Sequence, residues 1–290
     1  MVTCNKPILE LLQFDKCDVP GLIELSASVG WDYDEKEIGT ILASGMIFGH
    51  KNAEGKIVSS AAIIPYDTTF ASIGMVIVNK DYRGMGLGKK ATRKCIESVS
   101  KETAIMLIAT EEGKPLYEKM GFNTVDVVHK YLCDNYIIDT NPLVNSDIII
   151  EEFSVVDFNE LLKLDEGAFG DKRTQFLMNR IKQSEKCLVV KDNNGTIVGY
   201  GLSILGPINL ILGPIVAPDF HIASVLIDKL SSKHQGKLRI DVPSDNGEFM
   251  MFLEKSGFVH VSQPPIMVIN SENMPSRNNT LFGIAAQIFG

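Results

Sequence analysis

"VNKDYRGMGLGKKATRKCIE", residues 78–97, decides how the chain is read. An apolar, β-branched run over 73–78 ends in a turn. Three glycines follow at alternate positions, Gly84, Gly86 and Gly88, and then a helical pattern loaded with Lys and Arg. Glycine lets the backbone take φ > 0 and approach a ligand closely. The helix behind such a turn aims unpaired N–H groups and its positive dipole end at whatever sits there. Arg83, Lys89 and Lys90 add charge. The stretch therefore predicts an anion site, phosphate above all. The competing reading is a tight strand-to-helix turn with no ligand, its lysines on a solvated face.

Two phosphate loops are excluded by spacing. A P-loop needs GxxxxGK[ST]; here only three residues separate Gly84 from Gly88, and Lys90 stands where the hydroxyl would be. The dinucleotide fingerprint needs GxGxxG opening a βαβ unit, and this chain has GxGxG after a run of strands.

Working outward, the chain repeats itself. "KNAEGKIVSSAAII" (51–64) has a counterpart in "KDNNGTIVGYGLSI" (191–204), each a turn followed by a strand. Residues 74–96 correspond to "LGPIVAPDFHIASVLIDKL" (212–230), each a strand, a turn and an amphipathic helix. "LIATEEGKPLYEKMGF" (107–122) corresponds to "RIDVPSDNGEFMMFLEKSGF" (239–258), each with Gly where a helix C-cap would put it. Two related α+β domains are expected, 1–138 and 147–290, each a mixed, mostly antiparallel sheet flanked by helices. The polar stretch 139–147, "DTNPLVNSD", reads as the linker. In the first domain strands are expected at 8–14, 46–50, 57–65, 70–78, 105–109 and from Phe122. Helices are expected at 20–28, 35–44, 86–100 and 114–120.

The bulk numbers agree with a folded chain of two ordinary domains: 290 residues, 45% hydrophobic and 22% charged. A net charge of -8 argues against broad nucleic-acid binding, which needs a basic face. Five scattered cysteines without a CxxC pair argue against zinc or dithiol chemistry and for a reducing, cytoplasmic setting. No apolar run is long enough for a bilayer span. No metal, no nucleic acid and no membrane partner is expected, and the oligomeric state stays open.

The R-x-x-G-x-G of Arg83, Gly86 and Gly88, directly after a strand and opening a helix, resembles the acetyl-CoA loop of the GNAT N-acetyltransferases. "LYEKMGF" (116–122) resembles that family's second signature. The resemblance spans most of 5–135, and the second half looks like a degenerate copy: it has "APDFHIAS" at the glycine turn and Leu253 opposite Tyr117. It implies acetyl-CoA as cosubstrate, with Arg83, Gly84, Met85, Gly86, Leu87, Gly88 and Lys89 around the pyrophosphate. Val76, Ile77 and Val78 would lend backbone groups to the pantetheine arm. It further implies direct attack of a primary amine, on a small molecule or a peptide, upon the thioester, a backbone N–H near Val78 for the oxyanion, and Tyr117 as the acid for the thiolate. A phenol near pKa 10 can protonate a thiolate near 8.5.

"FASIGMVIV" (70–78) holds no carboxylate, so the family's usual strand base is missing. Asp67, Glu111 and Glu112 read as solvated loop charges or as the base. Trp31 either lines the acceptor pocket or staples two helices. Asp241, with Asp171 and Arg173, either faces a substrate cleft or makes ordinary ion pairs. Tyr117 itself has a core-packing alternative. A CoA-binding sensor without turnover and a transferase of a longer acyl group are the other functions to weigh.

Overall fold

The computed structural model describes residues 9–138 and 148–290; the expected linker, 139–147, lies outside the described residues. The first half runs β1 (Glu10–Phe14), α1 (Val19–Ser28), α2 (Glu35–Ser44), β2 (Met46–Lys51), β3 (Ile57–Pro65), β4 (Phe70–Val78), α3 (Leu87–Glu97), β5 (Ala104–Ile108), α4 (Lys114–Glu118) and β6 (Asn123–Cys133). The second half repeats the order. It runs β7 (Ile148–Glu152), α5 (Phe158–Phe169), α6 (Thr174–Gln183), β8 (Lys186–Asp192), β9 (Ile197–Leu205), β10 (Asn209–Val216), α7 (Phe220–Ser231), β11 (Lys237–Pro243), α8 (Gly247–Lys255) and β12 (Val259–Ser262). Two further strands follow, β13 (Pro265–Ile269) and β14 (Leu281–Gly283).

The expected elements are present, with two helices cut short: α4 ends at Glu118 instead of residue 120, and α3 ends earlier still. The pattern predicts α3 to residue 100, but it stops at Glu97. Both the N–H and the hydroxyl of Ser98 bond the Cys95 carbonyl, at 3.1 and 2.7 Å. A hydroxyl that competes for backbone carbonyls in this way ends helices.

Each half is a mixed α+β layer, antiparallel except where β4 meets β5 and β10 meets β11. β3 is buried along all but its last residue because α1 packs over one face and α3 over the other. A strand covered on both faces reads as a continuous apolar run, as IVSSAAII does.

The strand order is β1-β2-β3-β4-β5-β13-β6-β11-β10-β9-β8-β7, with β12 on β6 and β14 on β10. The halves therefore exchange strands. β13, late in the chain, sits between β5 and β6. β6, early in the chain, pairs β11 along Val128–Cys133. The result is one continuous sheet.

The segment after β14 ties the halves a second time. The Ile288 carbonyl accepts from Ser72 Oγ at 2.7 Å. The Phe289 ring stacks on Phe176 at 4.6 Å. Arg173 donates to the carbonyls of Phe289 (3.2 Å) and Gly290 (3.1 Å), and Tyr66 donates to the former. Arg173 is itself held by Asp165, at 2.7 and 2.9 Å, both side chains fully buried. A buried charge pair is tolerable because its remaining donors find these carbonyls.

Candidate functional site

β4 runs beside β5 only from Phe70 to Ile73. Just beyond, Met75 takes φ +51 and the register with β3 shifts between Ser60 and Ala62. Ser60 Oγ donates to the Met75 carbonyl at 2.8 Å and holds this bulge. A bulge bends its strand. β4 accordingly stays with β3 to Val78 but parts from β5, and a gap opens between them. The N–H of Asn79 donates to Val58 on β3 at 2.9 Å. Polar backbone groups alternate sides along a strand. Those of Ile77 therefore face β3, while those of Val76 and Val78 face the gap.

The glycine turn closes one end of that gap. Gly84 and Gly86 have φ of +78 and +74, and a Cβ on either would meet nothing within 4 Å. What they supply is conformation, not room. Gly88 differs: a Cβ there would lie 3.2 Å from Val78 Cγ2, so it lets α3 rest on β4. Gly86 is the N-cap of α3 and has no side chain to cap it. The first helical bond is Lys90 N–H to the Gly86 carbonyl, at 3.1 Å. The N–H groups ahead of it have no side-chain acceptor from the cap residue. Leu87 is buried, Lys89 and Lys90 are exposed, and Arg83 lies 3.9 Å from Glu112 at the rim.

The same place in the second half is filled. The α7 N-cap is Asp219, whose carboxylate accepts from Ile222 N–H at 2.9 Å. An anion thus already sits at that helix N-terminus. The gap between β10 and β11 is taken by β14: Ile215 pairs Gly283, and the Ile284 N–H donates to the Asp241 carbonyl at 2.9 Å.

Tyr117 lies on α4, which leaves the same end of the sheet as the glycine turn. Its neighbour Leu116 is 3.8 Å from the Cβ position of Gly88. The Tyr117 ring is buried edge-on against Phe122, with centroids 5.9 Å apart, and burial raises its pKa. Its hydroxyl has no hydrogen bond among the described residues.

The three substrate candidates fall in different places. Trp31 is partly exposed on the α1–α2 loop, its ring 6.2 Å from Tyr33. Asp67 sits in the β3–β4 turn, where it accepts from Thr174 N–H (3.3 Å) and hydroxyl. That is the opposite end of β4 from the glycines. Nine residues of strand at roughly 3.3 Å each separate the two by about 30 Å. Asp241, on β11, is 1% exposed and accepts from Arg239 Nε (2.8 Å) and Gln287 Nε2 (2.9 Å). Arg173 is consumed by its ion pair. Asp171 accepts from Thr68 Oγ1 at 2.6 Å and Lys172 N–H at 2.7 Å. His50 is buried on Ser59 Oγ at 2.7 Å.

Residues that sequence reasoning passed over gather beside Asp241. They are Lys130 on β6, Arg239 on β11, Tyr33 and Gln287. Nothing local marks them, since only the exchange of β6 puts Lys130 opposite Asp241. Gln287 stands next to Ile288, and Ile288 covers Gly74, where β4 leaves β5. A Cβ on Gly74 would fall 2.4 Å from Ile288 Cγ1 and 3.0 Å from its Cα. Gln287 Nε2 reaches Asp241, so the same short segment touches both the Asp241 cluster and the point where β4 leaves β5.

Comparisons with known proteins agree with this architecture. A family model described as "Acetyltransferase (GNAT) family" matches residues 21–122, and one described as "Acetyltransferase (GNAT) domain" matches 161–283. The chain is 36% identical over 282 residues to "Uncharacterized N-acetyltransferase YitH" of Bacillus subtilis, covering 97% of this chain and 98% of that one. Among solved structures, a candidate acetyltransferase from Pyrococcus horikoshii superposes with a TM-score of 0.79 at 18% identity, covering 100% of this chain and 99% of that one. A tandem GNAT protein from the clavulanic acid biosynthesis pathway gives 0.66 at 14%, covering 90% and 98%.

Proposed function

The chain belongs to the GNAT acetyltransferase family, and from that premise we propose that it is an acetyl-CoA-dependent N-acetyltransferase acting on a primary amine. One observation carries the reading. The α3 N-terminus is uncapped and stands beside an open strand gap, whereas its counterpart in the second half holds Asp219 and its gap holds β14. The residues fit the coenzyme's shape: a cradle of N–H groups at 83–89 for a diphosphate, then backbone groups of Val76 and Val78 for an amide-bearing arm.

When bound, acetyl-CoA supplies the thioester and the acetyl group. The chain's residues do the rest. The Val78 N–H is positioned to donate to the thioester oxygen as charge develops there. The Tyr117 hydroxyl is the acid for the departing sulfur. Holding amine and thioester together in the gap supplies a large share of the rate. We assign the two units as 1–138 and 147–290, each completed by a strand from the other, with coenzyme held only by the first. The free cysteines Cys17, Cys95, Cys133 and Cys187 support a reducing, cytoplasmic setting.

The experiment is twofold. Calorimetric titration with coenzyme A tests the cradle, and thiol release from acetyl-CoA across an amine panel tests transfer. Absence of coenzyme binding defeats the reading. Binding without turnover on any amine would point instead to a CoA-responsive regulator.

A further inference from the structure

On the paired strands β6 and β11, Lys130 lies opposite Asp241 and Leu132 opposite Arg239. Side chains two apart on a strand share a face, and directly opposed ones have Cβ atoms about 5 Å apart. Lys130, Arg239 and Asp241 thus form one cluster. Both oxygens of Asp241 are already engaged, by Arg239 Nε and by Gln287. Glu37, the other nearby carboxylate, is engaged by Arg180 Nη1 at 2.5 Å and Gln183 Nε2 at 2.6 Å. Asp32 stands exposed at the rim.

The donors are left over. Lys130 is half-buried and makes no hydrogen bond or ion pair among the described residues. Burial and the neighbouring Arg239 both lower its pKa, with Asp241 and Asp32 opposing. Arg239 spends only its Nε on Asp241. The Tyr33 hydroxyl, electrostatically coupled to Arg239, also lacks a partner among the described residues. An ammonium half-buried beside a guanidinium is costly unless something answers it. In the buried part of the cluster two cations face one engaged carboxylate, and the remaining acid, Asp32, offsets part of their charge from the exposed rim. So modest a positive excess suits a monoanion such as a carboxylate better than a dianionic phosphate. Gln287 ties the cluster to the segment that covers Gly74, where β4 leaves β5.

We infer that the acceptor is an amine carrying a carboxylate, of the amino-acid class, whose carboxylate is held by Lys130 and Arg239 with Tyr33 as a third donor. The inference rests on the acetyltransfer reading for its amine and on the cluster alone for its carboxylate. Lys130 is the residue to change. Removing Arg239 would strip buried Asp241 of its hydrogen-bonded cation and leave it Gln287 alone, whereas removing Lys130 breaks no hydrogen bond and relieves a like-charge contact.

The test compares common amino acids with their decarboxylated amines, lysine against cadaverine and phenylalanine against phenethylamine among them, by thiol release from acetyl-CoA. The acids are expected to have the higher kcat/KM. In Lys130→Met the KM for the preferred acid should rise about ten- to a hundredfold, the loss of one charge-assisted bond. Its kcat, the KM for acetyl-CoA and the melting temperature should hold. Turnover of the decarboxylated amines as efficient as that of the acids overturns the inference and leaves acetyl transfer standing. An unchanged KM for the acid in Lys130→Met does the same. Titration of the same acids in excess coenzyme A reads the anion site independently. Acid binding that Lys130→Met abolishes upholds the site even if no thiol is released. Failure of every acid to bind the wild-type chain overturns it.

Discussion

Replacing Gly86 by Ala separates backbone conformation from ligand binding. Gly86 has φ +74 and ψ 15, and its Cβ position meets nothing within 4 Å. The cost to the folded state is therefore the left-handed backbone alone, about 1 kcal/mol for a residue with a Cβ. In a chain of this size that lowers Tm by roughly 2–4 °C. Gly195 offers the matched control. It has φ +79, equally open surroundings, and a place in the turn between β8 and β9, away from α3. Gly195→Ala should lose the same stability. The two variants should part on coenzyme A. If residue 86 relaxes toward negative φ, the N–H groups at the start of α3 turn out of the cradle. Each bond to a charged phosphate is worth about 1.5–3 kcal/mol, so one lost bond raises Kd about 10- to 150-fold. Calorimetric titration of the wild-type chain and both variants reads this directly. Wild-type affinity in Gly86→Ala, or equal weakening in Gly195→Ala, would refute the reasoning.

Tyr117→Phe should cut thiol release about 10²- to 10⁴-fold, the usual worth of a positioned acid, at unchanged coenzyme affinity. Its melting temperature should barely move, because the hydroxyl bonds nothing among the described residues; steady-state kinetics with calorimetry checks both. Arg173→Met leaves Asp165 charged and buried and frees the Phe289 and Gly290 carbonyls, so denaturant unfolding should show a loss of about 3–5 kcal/mol. Burial raises the pKa of Tyr66, Tyr117 and Tyr200 above the unfolded value. The stability they hold is complete below about pH 10 and should fall as pH climbs beyond it. Burial, with Lys90 second, lowers that of His50, whose contribution is present above about pH 6.5 and should fall as pH drops below it. Thermal melts across pH check both limbs; a flat alkaline limb would count against the tyrosine burial.

Much of this molecule is written locally. Turn glycines, β-branched runs and helix caps act within a few residues of themselves, so α2, β3 and β4 fall at the bounds read from sequence. The contrast between "RGMGLGK" and "APDFHIAS" is local too: an uncapped helix start leaves donors open, and a start capped by Asp219 closes them. α3 ends early for a reason of the same kind, visible only once the Ser98 hydroxyl is seen on the Cys95 carbonyl.

Amino-acid order by itself thus determined the element sequence, the duplication, and which half keeps an uncapped helix start after its glycine turn. Tertiary structure alone decided that β13 crosses into the first sheet and β6 into the second, that β14 plugs the second gap, and that Lys130 meets Arg239 and Asp241. The physical reason is that an apolar strand such as PIMVI buries equally well against either half. Its partner is chosen by which sheet edges the whole chain leaves unpaired, and no single stretch carries that information.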